Sequence, residues 1–161
     1  MVEDSPITEE LRRKIGIESE PEVYEIERGM IRRFVLAIDD PNPLWQDEEY
    51  ARQSRYGGII APPTFVLTVG FDELQRQVLE SLPYEGILHG STELECYRLV
   101  RPGDAITVIA KIANIRERQS SRTGKMVFVT LEITYKNQRQ ELVARCQQVF
   151  IGYKIGGAKY G

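Results

Sequence analysis

"GKMVFVTLEITYKNQRQELVARCQQVFI", Gly124 to Ile151, decides the fold. Val127, Val129, Leu131, Ile133 and Tyr135 recur at every second position, the period of a strand with one buried face. The polar stretch "KNQRQE" at 136–141 supplies a turn, and a second apolar-rich run follows it. Two strands are therefore expected, about Lys125–Lys136 and Leu142–Lys154. Toward the N-terminus, Ile106, Val108, Ala110 and Ile112 alternate inside a third segment, Ala105–Arg118, and a fourth runs from about Gly86 to Val100. "SSRTGK" at 120–125 and "RPGD" at 101–104 separate them. Four such segments in succession predict an antiparallel meander.

Before Pro83 the period is helical. In "GGIIAPPTFVLTVGFDELQRQVLESL", residues 57–82, Pro62 and Pro63 suit a helix start, because a first-turn proline forfeits no intrahelical bond. The residues after them are apolar from Phe65 to Phe71 and amphipathic to Leu82, so one helix from about Pro63 to Leu82 is expected, buried on several sides. Gly57 and Gly58 are read as letting the preceding loop approach that helix closely. Further upstream, Thr8 caps a short helix with Glu9 and Glu10 in its first turn and Gly16 past its end. "VYEIERG", Val23 to Gly29, reads as a short strand. Ile31, Phe34, Val35 and Ile38 mark one face of a helix that stops before Pro41, and Asp47 caps another running to about Ser54. Helices first and strands afterwards make an α+β domain with one long helix packed on one curled sheet. The whole chain, 1–161, is expected to be a single domain with 1–6 and 155–161 as loose tails.

Lys plus Arg number 21 against 24 Asp plus Glu, giving a net charge of −3 with no basic run, which argues against a nucleic-acid partner. No apolar run approaches the ~18 residues of a membrane span, and the acidic start "MVEDSPITEE" lacks a signal-peptide core. The expected location is the cytoplasm. One histidine, His89, and two separated cysteines, Cys96 and Cys146, cannot build a zinc site of ordinary spacing. The cysteines are read as two buried thiols rather than a disulfide. Neither a Gly-rich phosphate loop nor a Gly-x-Ser-x-Gly elbow is present. No metal or other cofactor is expected.

One stretch has the composition of a reactive loop. "AIDDPNPLWQDEEYA", Ala37 to Ala51, places Asp39 and Asp40 side by side at a helix C-terminus. The helix dipole and their mutual repulsion both disfavour charge there. That favours a functional site; the structural alternative is that Asp40 binds turn amides in a Pro-Asn-Pro loop.

Four pieces in order, "GMIRRFVLAIDDPNPLWQDEEYA", "SRYGGIIAPPTF", "LHGSTELECYRLVRPGDAIT" and "GKMVFVTLEITYKNQRQELVARCQQVFI", resemble the MaoC-like hotdog dehydratases, in particular their N-terminal or FAS1-type branch. The resemblance spans about Gly16 to Tyr153. It implies a hotdog fold, a sheet wrapped round a long helix, pairing edge to edge with a second hotdog. The implied activity is reversible hydration of a trans-2-enoyl thioester on coenzyme A or acyl carrier protein. The family motif is similar to Asp-x-Asn-Pro-x-His, which Asp40, Asn42 and Pro43 match, while Trp45 stands at the histidine position. In the family reaction that aspartate and histidine hold one water, and amides at the helix N-terminus polarise the thioester carbonyl. Trp45 has a donor N–H but no basic nitrogen. Pro62 and Pro63 stand where active members commonly carry a glycine, so only later amides such as Thr64 or Phe65 could donate.

The reading that follows is the acyl-binding half of an enoyl-thioester hydratase, or 3-hydroxyacyl-thioester dehydratase, lacking the catalytic histidine. It would act as a homodimer or as a heterodimer with a homologous hotdog subunit. Asp40 is the motif-matched catalytic position, and Asn42, Trp45, Gly58, Ala61, Pro62, Thr64 and Phe65 are the candidate substrate-binding residues. Trp45 reads first as packing and second as a wall of the substrate channel. His89 reads as a hydrogen-bonded structural residue ahead of a displaced base. Arg98, Arg101 and Lys125 could meet coenzyme A phosphates, against an ordinary solvated role. The rival functions are a self-sufficient homodimeric hydratase, a hotdog thioesterase and a non-enzymatic acyl-thioester binding protein.

Overall fold

Five strands form one antiparallel sheet: β1 (Glu22–Glu25), β2 (Gly86–Cys96), β3 (Ala105–Ser120), β4 (Gly124–Lys136) and β5 (Leu142–Tyr153). Their order across the sheet is β1-β3-β4-β5-β2. The structure, a computed structural model, describes residues 7–70, 86–120 and 124–153. The meander is real for β3, β4 and β5. The expected fourth member, β2, is displaced: it pairs with β5 at the far side, Thr92 opposite Gln148 and Cys96 opposite Ala144. The short strand read at Val23–Gly29 is the four-residue β1, which extends the other side by pairing with β3. It ends early because Arg28 already begins a helix.

One face of the sheet makes the core. Ile106, Val108 and Ala110 of β3, Ile133 and Tyr135 of β4, and Ala144 and Cys146 of β5 form one buried cluster, joined by Ile31, Val35, Phe65, Val66 and Val69. Val127, Val129, Leu131 and Phe150 continue that face into a second cluster, closed by Ile7 and Leu11. A bulge between Ile112 and Asn114 shifts the register so that Ile115 returns to the buried side. Burying an aliphatic side chain of this size contributes about 1.5–3 kcal/mol, so this face, rather than any polar contact, holds the molecule together.

Among the described residues, three short α-helices decorate it. In α1 (Glu9–Arg13) the Thr8 Oγ1 accepts the Leu11 N–H at 3.1 Å, and Gly16 follows at φ +83°. α2 (Arg28–Ala37) buries Ile31 and Val35. It stops short of Ile38, which is left 46 % exposed as the cap, because Asp39 turns the chain into the left-handed region at φ 53°. α3 (Glu48–Gln53) starts where Asp47 Oδ1 accepts the Tyr50 N–H.

The long helix expected over Pro63–Leu82 does not begin as one. Pro63–Thr68 is a 3-10 segment, ended by an extended Val69 and by Gly70 at φ +73°. Pro62 and Pro63 remove two amides from the first turn, and Gly70 supplies a left-handed residue that only glycine adopts cheaply. The remainder of the expected helix, 71–82, lies outside the described residues, as do the tails 1–6 and 155–161 and the centre of the 120–125 turn.

The two cysteines differ from expectation in one respect: Cys146 is buried, but Cys96 is exposed. Leu94 faces Cys146 and Cys96 faces Ala144, so the thiols are diagonal neighbours across β2 and β5. Diagonal Cα atoms lie ~7–8 Å apart, outside disulfide reach. Both remain thiols.

Candidate functional site

The Asp40 loop is a closed set of hydrogen bonds. Asp40 Oδ1 accepts the Asn42 N–H at 3.0 Å, and Asp40 Oδ2 accepts the Trp45 Nε1–H at 2.8 Å. Asn42 Oδ1 accepts the Leu44 N–H at 3.0 Å, capping the 3-10 turn Pro43–Trp45. Gln46 Nε2 donates to the Asp40 carbonyl, and the Asp40 N–H bonds back to Val35 O at 3.2 Å. Sequence chemistry explains the shape: prolines fix φ on both sides of Asn42, and a short amide side chain there satisfies the turn it starts. Trp45 packs its ring against the main core cluster while turning its N–H to Asp40. Trp45 thus packs, the first of its two readings, and donates a hydrogen bond as well. The turn-amide reading of Asp40 is also realised, since one carboxylate oxygen holds an amide and the other an indole.

Loop 54–62 leads to the 3-10 segment and is clamped from the opposite side. Arg101 Nη2 donates to Tyr56 O at 2.7 Å, while Arg101 N–H bonds Asp104 Oδ2 within the "RPGD" turn. The Ala61 N–H bonds Val100 O at 2.8 Å. Gly57 has φ +67° and open space around it, and a Cβ on Gly58 would meet Arg101 Nη1 at an ordinary 3.8 Å. Gly57 therefore serves a turn, and among the described residues nothing crowds either glycine. Arg101, offered as a phosphate contact, is engaged with a carbonyl. Arg98 pairs with Glu141 at 3.5 Å and Lys125 with Glu117 at 3.7 Å.

At the 3-10 terminus Pro62 is buried, and Pro63 and Thr64 are exposed. The Phe65 N–H, one of the two candidate donors, is spent on Pro62 O at 2.9 Å. Thr64 alone keeps an amide with no acceptor among the described residues. Phe65 is buried edge-on against Phe34, ring centres 5.7 Å apart, which ties this terminus to α2 and hence to the Asp40 loop. Beside it lies an open cleft of about 170 Å³ walled by Ala61, Pro62, Pro63, Cys96, Leu99 and Ala144. Its lining is mostly apolar, and its size is below the ~300–1,000 Å³ of complete small-molecule pockets. Cys96 Sγ donates to Pro63 O at 3.8 Å, and desolvation pushes its thiol above the ordinary value.

His89 is held locally. Its Nε2 meets Ser91 O at 3.0 Å and Thr92 Oγ1 at 2.8 Å, and its ring stacks on Phe150 at 5.3 Å. No described contact joins His89 to the Asp40 loop. Among the described residues no cluster of three or more metal-ligating side chains occurs, and no helix is long and apolar enough to cross a membrane.

Sequence reasoning missed the Arg101 clamp, for which an isolated arginine gives no signal. It also passed over Gln148, although the alternation Cys146, Gln148, Phe150 places an amide on the buried face.

A five-stranded antiparallel sheet of this order, curled over a core that includes the 3-10 terminus, defines the hotdog class of α+β proteins. The same architecture occurs in a C-terminally truncated HadBC (3R-hydroxyacyl-ACP dehydratase) complex from Mycobacterium tuberculosis, with a TM-score of 0.73 at 22% identity over 86% of this chain and 97% of that one. Within that class the chain belongs to the family described as the FAS1-like, dehydratase domain region, whose model matches residues 13–146. It is 38% identical over 96 residues to a "UPF0336 protein" of Streptomyces avermitilis, a match covering 58% of this chain and 64%, less than two thirds, of that protein. It is also 31% identical over 131 residues to a "Probable enoyl-CoA hydratase alpha subunit" of Thermomonospora curvata, covering 71% of this chain and 41% of that protein.

Proposed function

We propose that the chain is the acyl-binding, catalytically incomplete half of an enoyl-thioester hydratase, working with a homologous hotdog subunit that carries the aspartate–histidine pair. The observation that carries this reading is the Asp40–Trp45 bond. Both oxygens of the motif aspartate are engaged by N–H donors. The residue standing at the histidine position donates a proton it cannot give up and has no lone pair with which to accept one. A water held here would have no acid/base partner.

Two further features support it. Of the two candidate donors at the terminus that should polarise a thioester carbonyl, only the Thr64 amide has no acceptor among the described residues, where a working oxyanion site uses converging donors. The apolar cleft beside it is open and small, as half of a shared acyl site would be. Names among the relatives agree in kind: one is named "Probable enoyl-CoA hydratase alpha subunit", and one solved neighbour is a 3R-hydroxyacyl-ACP dehydratase complex. On this reading Asn42, Trp45, Gly58, Ala61, Pro62, Thr64 and Phe65 shape or support the acyl wall, the substrate is an acyl thioester of coenzyme A or acyl carrier protein, and no cofactor takes part.

The test is hydration of crotonyl-coenzyme A by the chain alone and by the complex recovered with its native partner. The chain alone should be slower by about 100- to 10,000-fold, the usual cost of losing a positioned acid/base. Asp40→Asn should leave the complex nearly unchanged, and Trp45→His should not restore full activity to the chain alone. Fast hydration by the isolated chain that Asp40→Asn abolishes would overturn the half-site reading in favour of a complete homodimeric enzyme.

A further inference from the structure

Gln148 sits on the wrong side of β5. It is 3 % exposed and shares the core-facing row with Cys146 and Phe150. Its partners across the sheet are Leu131 on β4 and Thr92 on β2. Its side-chain amide offers two donors and an acceptor, and none of the described residues gives that amide a hydrogen bond. A leucine or methionine would fill the same row without desolvating an amide, so a polar residue here needs a reason.

The rows between this amide and the cleft supply one. Cys96 and Ala144, which wall the cleft, face each other in the first row. Leu94 and Cys146 form the second row, Thr92 and Gln148 the third. The lane along β2 and β5 is thus apolar for two rows and then turns polar. Four residues of strand separate Ala144 from Gln148, about 13 Å at the usual rise. Thr92 is half-buried, and its hydroxyl lies 2.8 Å from His89 Nε2, so the polar stop continues to the edge of the sheet.

We propose that Gln148 is the polar end of an acyl subsite, and that the chain takes acyl groups carrying a hydroxyl or carbonyl oxygen partway along their length in preference to plain hydrocarbon chains. The inference rests on the acyl-binding reading above and adds the class of acyl group. A ligand oxygen at that depth meets an amide able to donate or accept, and Gln148 gains the partner the described residues do not give it. A plain chain at the same depth leaves the amide desolvated and unbonded, so it binds more weakly.

The experiment is calorimetry on the full chain with dodecanoyl-coenzyme A and with hydroxydodecanoyl-coenzyme A isomers whose hydroxyl moves one carbon at a time. One isomer, or two neighbours, should bind about 5- to 10-fold more tightly than the plain thioester, the range of one added hydrogen bond. Gln148→Met should erase that preference while holding the plain chain as tightly or more so. Gln148→Leu serves if the methionine variant fails to fold, and the isomer series on the unmodified chain reads the preference without either. Equal affinity for every isomer, or a preference that survives Gln148→Met, overturns the subsite and leaves Gln148 satisfied by an internal water only. Failure of every thioester to bind overturns the acyl-binding reading itself, and the subsite with it.

Discussion

At the scale of single residues, the Asp40–Trp45 bond makes the loop measurable. Trp45→Phe keeps most of the ring and removes the N–H that Asp40 Oδ2 accepts at 2.8 Å. It should cost about 1–2 kcal/mol, as for a hydrogen bond to a partly exposed charged group, a fall in melting temperature of about 2–8 °C for a domain of this size. A double-mutant cycle with Asp40→Ala should show most of that cost as coupling between the two side chains; independent effects would mean the bond is incidental. Cys146 sets a second test. Burial pushes its thiol up to about 11. The unfolded chain ionises it near 9, so its contribution is present below about pH 9 and is lost as pH rises toward 11. Cys146→Val should remove about 2 kcal/mol of that alkaline loss, seen as a flatter denaturation midpoint between those pH values. The sequence showed Asp40, Asn42 and Pro43 as a motif because short polar residues between prolines have few other uses. It could not show that Trp45 would turn its N–H onto Asp40, since that depends on where the core places the ring.

Among the elements, the strands were legible and the start of the principal helix was not. A strand with one buried face writes period two into the sequence, and β3, β4 and β5 begin and end within about two residues of their expected limits. The helix was read from apolar content, which does not distinguish an α start from a 3-10 start, and Val69-Gly70 breaks what the apolar run suggests. Nor does a sequence say which strands pair: β2 looks no more suited to β5 than to β3 until the sheet curls. The β4–β5 turn offers the sharpest test at this scale. Asn137, 6 % exposed, accepts the Arg139 and Glu141 N–H groups at 2.9 and 3.0 Å and donates to Glu141 Oε2 at 2.8 Å. The Asn137 amide first, and then Arg139 and Arg98, hold the Glu141 carboxyl below its ordinary value. Asn137→Ala should cost about 1–2 kcal/mol by removing the acceptor of the Arg139 and Glu141 N–H groups. In a titration followed by NMR it should move the Glu141 carboxyl back toward the ordinary range. The sign is fixed: a lowered carboxyl supports the turn above the unfolded value and fails as pH falls through the folded one.

For the whole molecule, the two outer strands are unequal. β1 is four residues long, whereas β2 presents eleven with Leu88 and most of its polar residues exposed. A long open edge of this kind is an invitation to pair with another chain, and the homologous subunit proposed above would meet it there. Sedimentation at micromolar concentration should give a mass near twice 18.5 kDa, or a multiple of it. A monomer that persists when the native partner is added would count against edge-to-edge pairing.

The strand order also sets a clock on the ribosome. β2 is complete at Cys96, yet its only neighbour among the described residues, β5, starts at Leu142. At ~5–20 residues per second, translation leaves β2 without a mate for about 2–9 s. The cleft beside the 3-10 terminus waits with it, because Ala144 is one of its walls. Nascent chains stalled anywhere before Tyr153 should therefore remain open to proteases and to holding chaperones, and a homologous subunit cannot dock on β2 until β5 has been made.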